Sequence, residues 1–88
     1  MKVNFKRSFT KDLKGIQDKA LLRRVKEVIE LVERVQDLQE VKGAKKLRGG
    51  DRYYRIRIGE YRLGIVSEER SVTFVRFLHR RDIYRYFP

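Results

Sequence analysis

The spacing of apolar residues predicts one strand and two helices in the first half of the chain. Val3 and Phe5 alternate with polar residues, as in a short, half-buried strand. Apolar residues then recur at helical spacing in a short stretch, capped by Ser8 and ending near Gly15, and in a longer stretch that starts at Asp18. The longer stripe, which extends to residue 35, predicts an amphipathic helix of about five turns that packs on a flat surface.

Three strand-like runs occupy the second half of the chain. The segment 43–51, GAKKLRGGD, interrupts the helical pattern with glycines and bases and predicts a loop. The runs at 53–58, 61–66 and 72–78 are rich in β-branched and aromatic residues, and their short connections predict an antiparallel meander. Residues 80–88 predict a final helical turn or two. The apolar residues of this last part that we expect in the core are Val72, Phe74, Phe77, Leu78, Ile83 and Phe87.

These elements predict an α+β fold: an N-terminal strand, two helices on one face of a mainly antiparallel sheet, and a C-terminal three-stranded meander with a short tail. No repeat or linker divides the chain, so we expect residues 1–88 to form a single domain. The chain has no cysteine, which excludes thiolate zinc sites and thiol nucleophiles, and no pattern indicates a metal or cofactor. No apolar run resembles a membrane span or a signal peptide, so we expect a cytoplasmic protein.

The charge distribution predicts a polyanionic partner. The chain holds 23 basic and 12 acidic residues, a net charge of +11. Residues 42–88 alone carry thirteen bases and five acids, and ten of those bases are arginine. The planar guanidinium group of arginine donates two parallel hydrogen bonds to phosphate and stacks on bases. The concentration of arginine in this half of the chain therefore favours nucleic acid as the partner.

The two strands on either side of Gly59 and Glu60 predict a cluster of arginines on one side of a hairpin. If these two residues form a type II′ turn, Arg57 lies opposite Arg62. Side chains alternate across a strand, so the apolar side of the hairpin meets the helices. It carries Tyr54, Ile56, Ile58, Tyr61, Leu63 and Ile65. The other side, which we call the arginine face, carries Arg55, Arg57, Arg62 and Gly64.

Two like charges in directly opposed strand positions suggest an anion site. Arg57 and Arg62 repel one another there, and a bound phosphate would offset the repulsion. Gly64 lacks a side chain, so a ligand could approach the sheet closely beside them. The alternative is that the arginines extend into solvent and that salt screens their repulsion.

Two stretches resemble the RelE/ParE superfamily of toxins from type II toxin–antitoxin systems. They are LRGGDRYYRIRIGEYRLGIV at 47–66 and the later FVRFLHRRDIYRYF. The resemblance covers nearly the whole chain and implies the RelE-like fold. RelE-type members are endoribonucleases that cut mRNA, many of them only in the ribosomal A site, and an acidic antitoxin silences them. The alternatives are a ParE-like inhibitor of DNA gyrase and a non-catalytic RNA-binding module.

The resemblance also implies roles for individual residues in metal-independent cleavage, in which the RNA 2′-hydroxyl attacks the adjacent phosphate. Arginines would stabilise the charge on the phosphorane, and a tyrosine would stack on a base or aid proton transfer; both Tyr84 and Tyr86 are candidates. His79 is a candidate acid or base, or else a stacking or ordinary rim residue. The candidate catalytic residues are Arg57, Arg62, His79, Arg81 and Tyr84. The candidate RNA-binding residues are Lys45, Lys46, Arg48, Arg55, Arg80, Arg85 and Tyr86.

Overall fold

The computed structural model describes residues 1–88 and contains five strands and three α-helices. The strands are β1 (Lys2–Phe5), β2 (Ala44–Lys46), β3 (Tyr53–Ile58), β4 (Tyr61–Ser67) and β5 (Ser71–His79). The helices are α1 (Arg7–Lys14), α2 (Lys19–Arg34) and α3 (Ile83–Tyr86), and a single turn of 3-10 helix covers Leu38–Glu40. None of these helices combines the length and the apolar character needed to cross a membrane.

The five strands form one mixed sheet in the order β1-β5-β4-β3-β2. β3, β4 and β5 form the predicted antiparallel meander, and β1 pairs with β5 in the parallel direction. The prediction that residues 43–51 form only a loop was wrong, because residues 44–46 pair with β3 as a short edge strand. Three residues are too few to show the alternation by which strands are recognised.

Helices α1 and α2 cover one face of the sheet, as predicted, and the main core lies between these two helices and the sheet. Its fully buried members are Phe9, Val25, Val32, Leu38, Val41, Ile56, Ile58, Leu63, Ile65, Val72, Phe74 and Phe77. Asp18 caps α2 by accepting hydrogen bonds from the backbone N–H groups of Ala20 and Leu21. The prediction that Ser8 caps α1 was wrong. Its hydroxyl donates instead to the carbonyl oxygen of Val75 at 2.6 Å and so ties α1 to the side of β5.

The hairpin between β3 and β4 has the predicted register. Arg57 pairs with Arg62 and Arg55 pairs with Gly64, so the arginine face exists as expected. Gly59 has a φ of 58° and no residue other than glycine has a positive φ, which fits a type II′ turn with Gly59 in its first central position.

A β-bulge in β5 changes which side chains face the helices. Gly64 pairs with Arg76 whereas the next residue of β4, Ile65, pairs with Phe74, so Val75 is an extra residue in β5. Phe74 and Phe77 consequently both face the core, although three positions separate them. The prediction that Leu78 lies in the core was wrong. It is half-buried and pairs with Arg62, which places it on the arginine face.

The C-terminal tail folds onto the arginine face. Ile83 and Phe87 are buried, as predicted, but they lie outside the main core. A Cβ atom at Gly64 would lie 2.7 Å from the ring of Phe87, so the absence of a side chain at Gly64 admits this ring. The expectation that Gly64 leaves open space for a ligand was therefore wrong. The Phe87 ring also lies perpendicular to the ring of Tyr53, with the ring centres 6.0 Å apart.

Candidate nucleic-acid interface

Arg62 is held in a fixed orientation at the hairpin turn. Its Nη1 atom donates to the carbonyl oxygens of Gly59 and Tyr61, each at 2.9 Å. The side chain lies directly across the strand pair from Arg57. A guanidinium that is already oriented loses less conformational freedom when it binds phosphate, and its remaining N–H groups can donate to such a ligand.

Four arginines and a tyrosine lie close together around this position. Burial lowers the pKa of Arg62 below its usual value, and the positive charge of Arg55 lowers it further. Arg57 and Arg80 act in the same direction, whereas Tyr84 raises the pKa of Arg62. Such effects weaken with distance, and the pairing of β3 with β4 and the ion pair of Arg80 with Glu60 independently bring the four arginines to one side of the hairpin. An anion bound among them would offset their mutual repulsion.

Two members of this cluster are fixed by neighbouring groups. Arg55 donates from Nη1 to the carbonyl oxygen of Gly43 at 2.6 Å, while its Nε atom is buried without a hydrogen-bond partner. Arg80 forms an ion pair with Glu60, with 2.8 Å between Nε and Oε2, and its backbone N–H donates to the carbonyl oxygen of Glu60. The turn that carries Glu60 therefore holds Arg80 beside the arginine face.

The tail adds two exposed aromatic rings to this side of the sheet. Tyr84 and Tyr86 are 57% and 55% exposed, which is unusual for large rings and leaves them free to stack on bases. Tyr86 also contacts Arg76, whose guanidinium carbon lies 5.5 Å from the ring centre. On the opposite edge, Lys45 of β2 pairs with Arg55 and extends the cationic surface.

Other predicted site residues lie elsewhere. His79 pairs with Tyr61 on the face that meets the helices, and its ring packs edge-on against Tyr61 with the centres 5.5 Å apart. Arg81 donates to His79 Nδ1 from its backbone N–H at 3.1 Å and from its Nε at 3.4 Å. Lys46 pairs with Tyr54 on the helix side and reaches Asp51 at 3.5 Å. Arg48 and Arg85 are exposed at the loop and the tail.

The part of the arginine face that the tail leaves uncovered is an open surface. Arg62, Arg80 and Tyr84 line none of the grooves in the molecule, and the groove that includes Arg57 lies between α2 and the end of β3. Small molecules are usually enclosed in concave pockets, whereas an extended polymer can lie across an exposed cationic surface. No group of three or more His, Asp or Glu side chains is arranged to hold a metal ion.

Sequence reasoning did not assign a role to Arg76 or Asp12. Arg76 lies on the arginine face because of the bulge, and its guanidinium is bound by Asp12 of α1 through two hydrogen bonds of 2.8 and 3.0 Å. The run of apolar residues on both sides of position 75 does not alternate strictly, and this irregularity is the signal that could have indicated the bulge.

Comparison with known proteins assigns the chain to a family. Residues 3–84 match the sequence model of the ParE toxin of type II toxin–antitoxin systems, so the chain belongs to that family and the resemblance to the RelE/ParE superfamily is confirmed. It is 43% identical over 89 residues to Toxin RelE3 of Methanocaldococcus jannaschii, and the match spans all of both chains.

Solved structures of such toxins have the same fold. The toxin in the RelB–RelE antitoxin–toxin complex from Methanococcus jannaschii matches with a TM-score of 0.81 and 39% identity, over 97% of this chain and 99% of that one. The archaeal RelE–RelB complex from Pyrococcus horikoshii matches with a TM-score of 0.75 and 24% identity, over 90% and 93% of the two chains. The second match supports the fold alone, and both confirm the predicted RelE-like α+β class.

Proposed function

We propose that this type II toxin is an endoribonuclease that cuts mRNA on the ribosome and so inhibits translation in the cytoplasm. The observation that carries the proposal is the grouping of the three hairpin arginines on the arginine face, with Arg80 held beside them by Glu60 and the exposed Tyr84 in the adjoining tail. The full-length similarity to Toxin RelE3 supports the RelE-type activity over that of a gyrase inhibitor.

The clustered side chains suit cleavage by the RNA's own 2′-hydroxyl. As that oxygen attacks the adjacent phosphorus, negative charge builds on the phosphorane and the bond to the 5′-oxygen breaks. Arg57, Arg62 and Arg80 can donate to the phosphorane oxygens, which stabilises the transition state more than the ground state. Tyr84 can stack on a base beside the scissile phosphate or assist proton transfer through its hydroxyl.

Basic residues around the cluster are suited to hold the rest of the RNA strand. We assign this role to Lys45, which pairs with Arg55, and to the exposed Arg48 and Arg85. Contacts of this kind with phosphate groups position a nucleic acid without reading its sequence. The same surface would attract an acidic antitoxin, and the M. jannaschii and P. horikoshii relatives are known as complexes with RelB.

The chemistry of the cleaved ends tests the proposal. Attack by the 2′-hydroxyl must leave a 2′,3′-cyclic phosphate or a 3′-phosphate on one fragment and a 5′-hydroxyl on the other. We expect these ends when purified toxin is added to ribosomes that are translating a defined mRNA, and we expect the purified antitoxin to prevent their formation. Intact mRNA, combined with DNA gyrase trapped on cleaved DNA, would instead establish the ParE-like function; RNA binding without cleavage would leave only a binding module.

Replacing His79 with asparagine is expected to change the cleavage rate by less than about fivefold. Loss of a general acid or base typically costs a hundredfold or more. His79 lies on the helix side of the sheet, and the asparagine oxygen can still accept the hydrogen bond from the backbone of Arg81. Single-turnover rates on ribosome-bound mRNA measure the effect. A hundredfold loss in His79→Asn, with an unchanged melting temperature, would show that the imidazole transfers a proton.

A further inference from the structure

Arg76 differs from the arginines of β3 and β4 because a largely buried carboxylate already matches its charge. Its Nε and Nη2 atoms donate to the two carboxylate oxygens of Asp12 at 2.8 and 3.0 Å. Asp12 Oδ2 also accepts the backbone N–H of Phe77 at 2.9 Å, and the Asp12 side chain is only 11% exposed. The hydrogen bond to Asp12 raises the pKa of Arg76 above its usual value. This arginine is therefore poorly placed to bind a phosphate.

The other contact of the Arg76 guanidinium is with the tail. Its central carbon lies 5.5 Å from the centre of the Tyr86 ring, within the range of a cation–π interaction. The next residue, Phe87, packs on Gly64, which is the strand partner of Arg76. A continuous set of contacts therefore runs from Asp12 of α1 through Arg76 of β5 to Tyr86 at the end of α3.

Helix α3 depends on such contacts for its position. It has four residues, and isolated helices of that length are not stable in water. Its first residue, Ile83, is buried, and its last residue, Tyr86, rests against Arg76. Tyr84 lies between these two anchors in the helix and its ring is exposed. If the contact at Tyr86 is lost, the helix keeps only the anchors at Ile83 and Phe87, and the placement of Tyr84 becomes less exact.

We propose that Asp12 and Arg76 are positioning residues, which hold Tyr86 and thereby keep α3, with the exposed Tyr84, in place on the arginine face. The ion pair supplies the orientation: Asp12 fixes the plane of the guanidinium, and the guanidinium fixes the tyrosine ring. The catalytic consequence of this arrangement rests on the proposed function, whereas the arrangement itself can be measured without RNA.

Amide hydrogen exchange tests the contact set directly. The backbone N–H of Phe87 donates to the carbonyl oxygen of Ile83 at 2.8 Å and reports on the integrity of α3. In Arg76→Met we expect this amide to exchange about two- to fivefold faster, the effect of losing one exposed cation–π contact, while the amides of β4 keep their rates. Arg76→Lys retains a cation and should have a smaller effect. Arg34→Met, which removes an exposed arginine from α2, is the matched control.

The same variants separate positioning from RNA binding. We expect Arg76→Met and Tyr86→Leu each to lower kcat for cleavage about tenfold with KM nearly unchanged. Tyr86→Phe keeps the ring, so the amide of Phe87 should exchange at the wild-type rate in that variant. Because Arg76 and Tyr86 act through one contact, the double variant should be no slower than the worse single variant. If each single variant instead raises KM, and the double variant raises it by the product of the two single effects, Arg76 and Tyr86 bind RNA independently.

Three further outcomes are decisive. One is that the β4 amides in Arg76→Met exchange faster by the same factor as the amide of Phe87. This result would show that the ion pair supports the whole fold, and it would overturn the proposal. So would unchanged exchange at Phe87 in both Arg76→Met and Asp12→Asn. If the wild-type toxin cuts no RNA, the proposed function fails, and the exchange rates still decide whether Asp12 and Arg76 position the tail.

Discussion

Replacing Arg62 with alanine is expected to lower the rate of mRNA cleavage by about a hundredfold to a thousandfold, the usual cost of removing one donor to a charged transition state. Arg62 lies at the centre of the arginine cluster, and two carbonyl oxygens hold its guanidinium in place before any substrate binds. Single-turnover cleavage on programmed ribosomes measures the loss, and growth inhibition in cells should disappear with it.

Stability should hardly change in the same variant. The substitution removes the repulsion between Arg62 and Arg57 but also removes two hydrogen bonds to exposed or half-buried carbonyl groups. These effects oppose one another, so we expect the free energy of unfolding to change by less than about 0.5 kcal/mol. Arg23→Ala removes the same charge from the exposed side of α2 and is the matched control. Equal loss of cleavage in both variants would mean that net charge, and not the arginine face, controls activity.

Cleavage of mRNA held in the ribosomal A site is expected to be at least about a thousandfold faster than cleavage of the same RNA in solution. The cluster around Arg62 offers many phosphate donors, but His79 lies on the other face and Glu60 is paired with Arg80. The toxin therefore contributes mainly by stabilising the negative charge on the phosphorane. Another partner must align the 2′-hydroxyl, the phosphorus and the leaving 5′-oxygen of the RNA. Orientation alone can account for about 7–11 kcal/mol of a reaction barrier, so a ribosome that aligns these atoms can supply the difference.

The comparison requires one RNA sequence in both settings, with toxin in excess so that binding does not limit the rate. Arg62→Ala should lower the cleavage rate on the ribosome. In solution the wild-type rate is expected to be so low that the same variant can lower it only a little. Equal rates for free and ribosome-bound RNA would contradict this expectation and would show that the toxin aligns its substrate unaided.

Much of the fold could be predicted because its strongest signals are local. The glycine at position 59 fixed the hairpin register, and the alternation around it separated the arginine face from the core. β2 was missed because three residues at an edge carry little pattern. Ser8 was misassigned since a serine near a helix start can also bind a neighbouring strand, as its bond to Val75 does.

The site was predictable only in part because several of its features depend on distant segments. The grouping of Arg55, Arg57 and Arg62 follows from the hairpin alone, whereas the addition of Arg80 and Tyr84 depends on how the tail returns to the sheet. The family resemblance places Arg81 among the catalytic candidates and its neighbour Arg80 among the RNA-binding ones. In the structure, Arg80 is one of the charged groups that lower the pKa of Arg62, while the backbone N–H of Arg81 donates to His79. Roles in catalysis remain predictions for these residues.

The bulge at Val75 determines how this strand can be aligned with those of related toxins. Because Val75 is the extra residue, a relative that lacks it could keep Phe74 in the core and Arg76 on the arginine face without any other change. If β5 kept Val75 but paired with β4 without a bulge, Arg76 would point toward the core, where an unpaired charge is costly to bury. Insertions and deletions in β5 are thus tolerated best at this position. An alignment that places the gap a few residues later would assign the residues in between, Arg76 and Phe77 among them, to the wrong sides of the sheet.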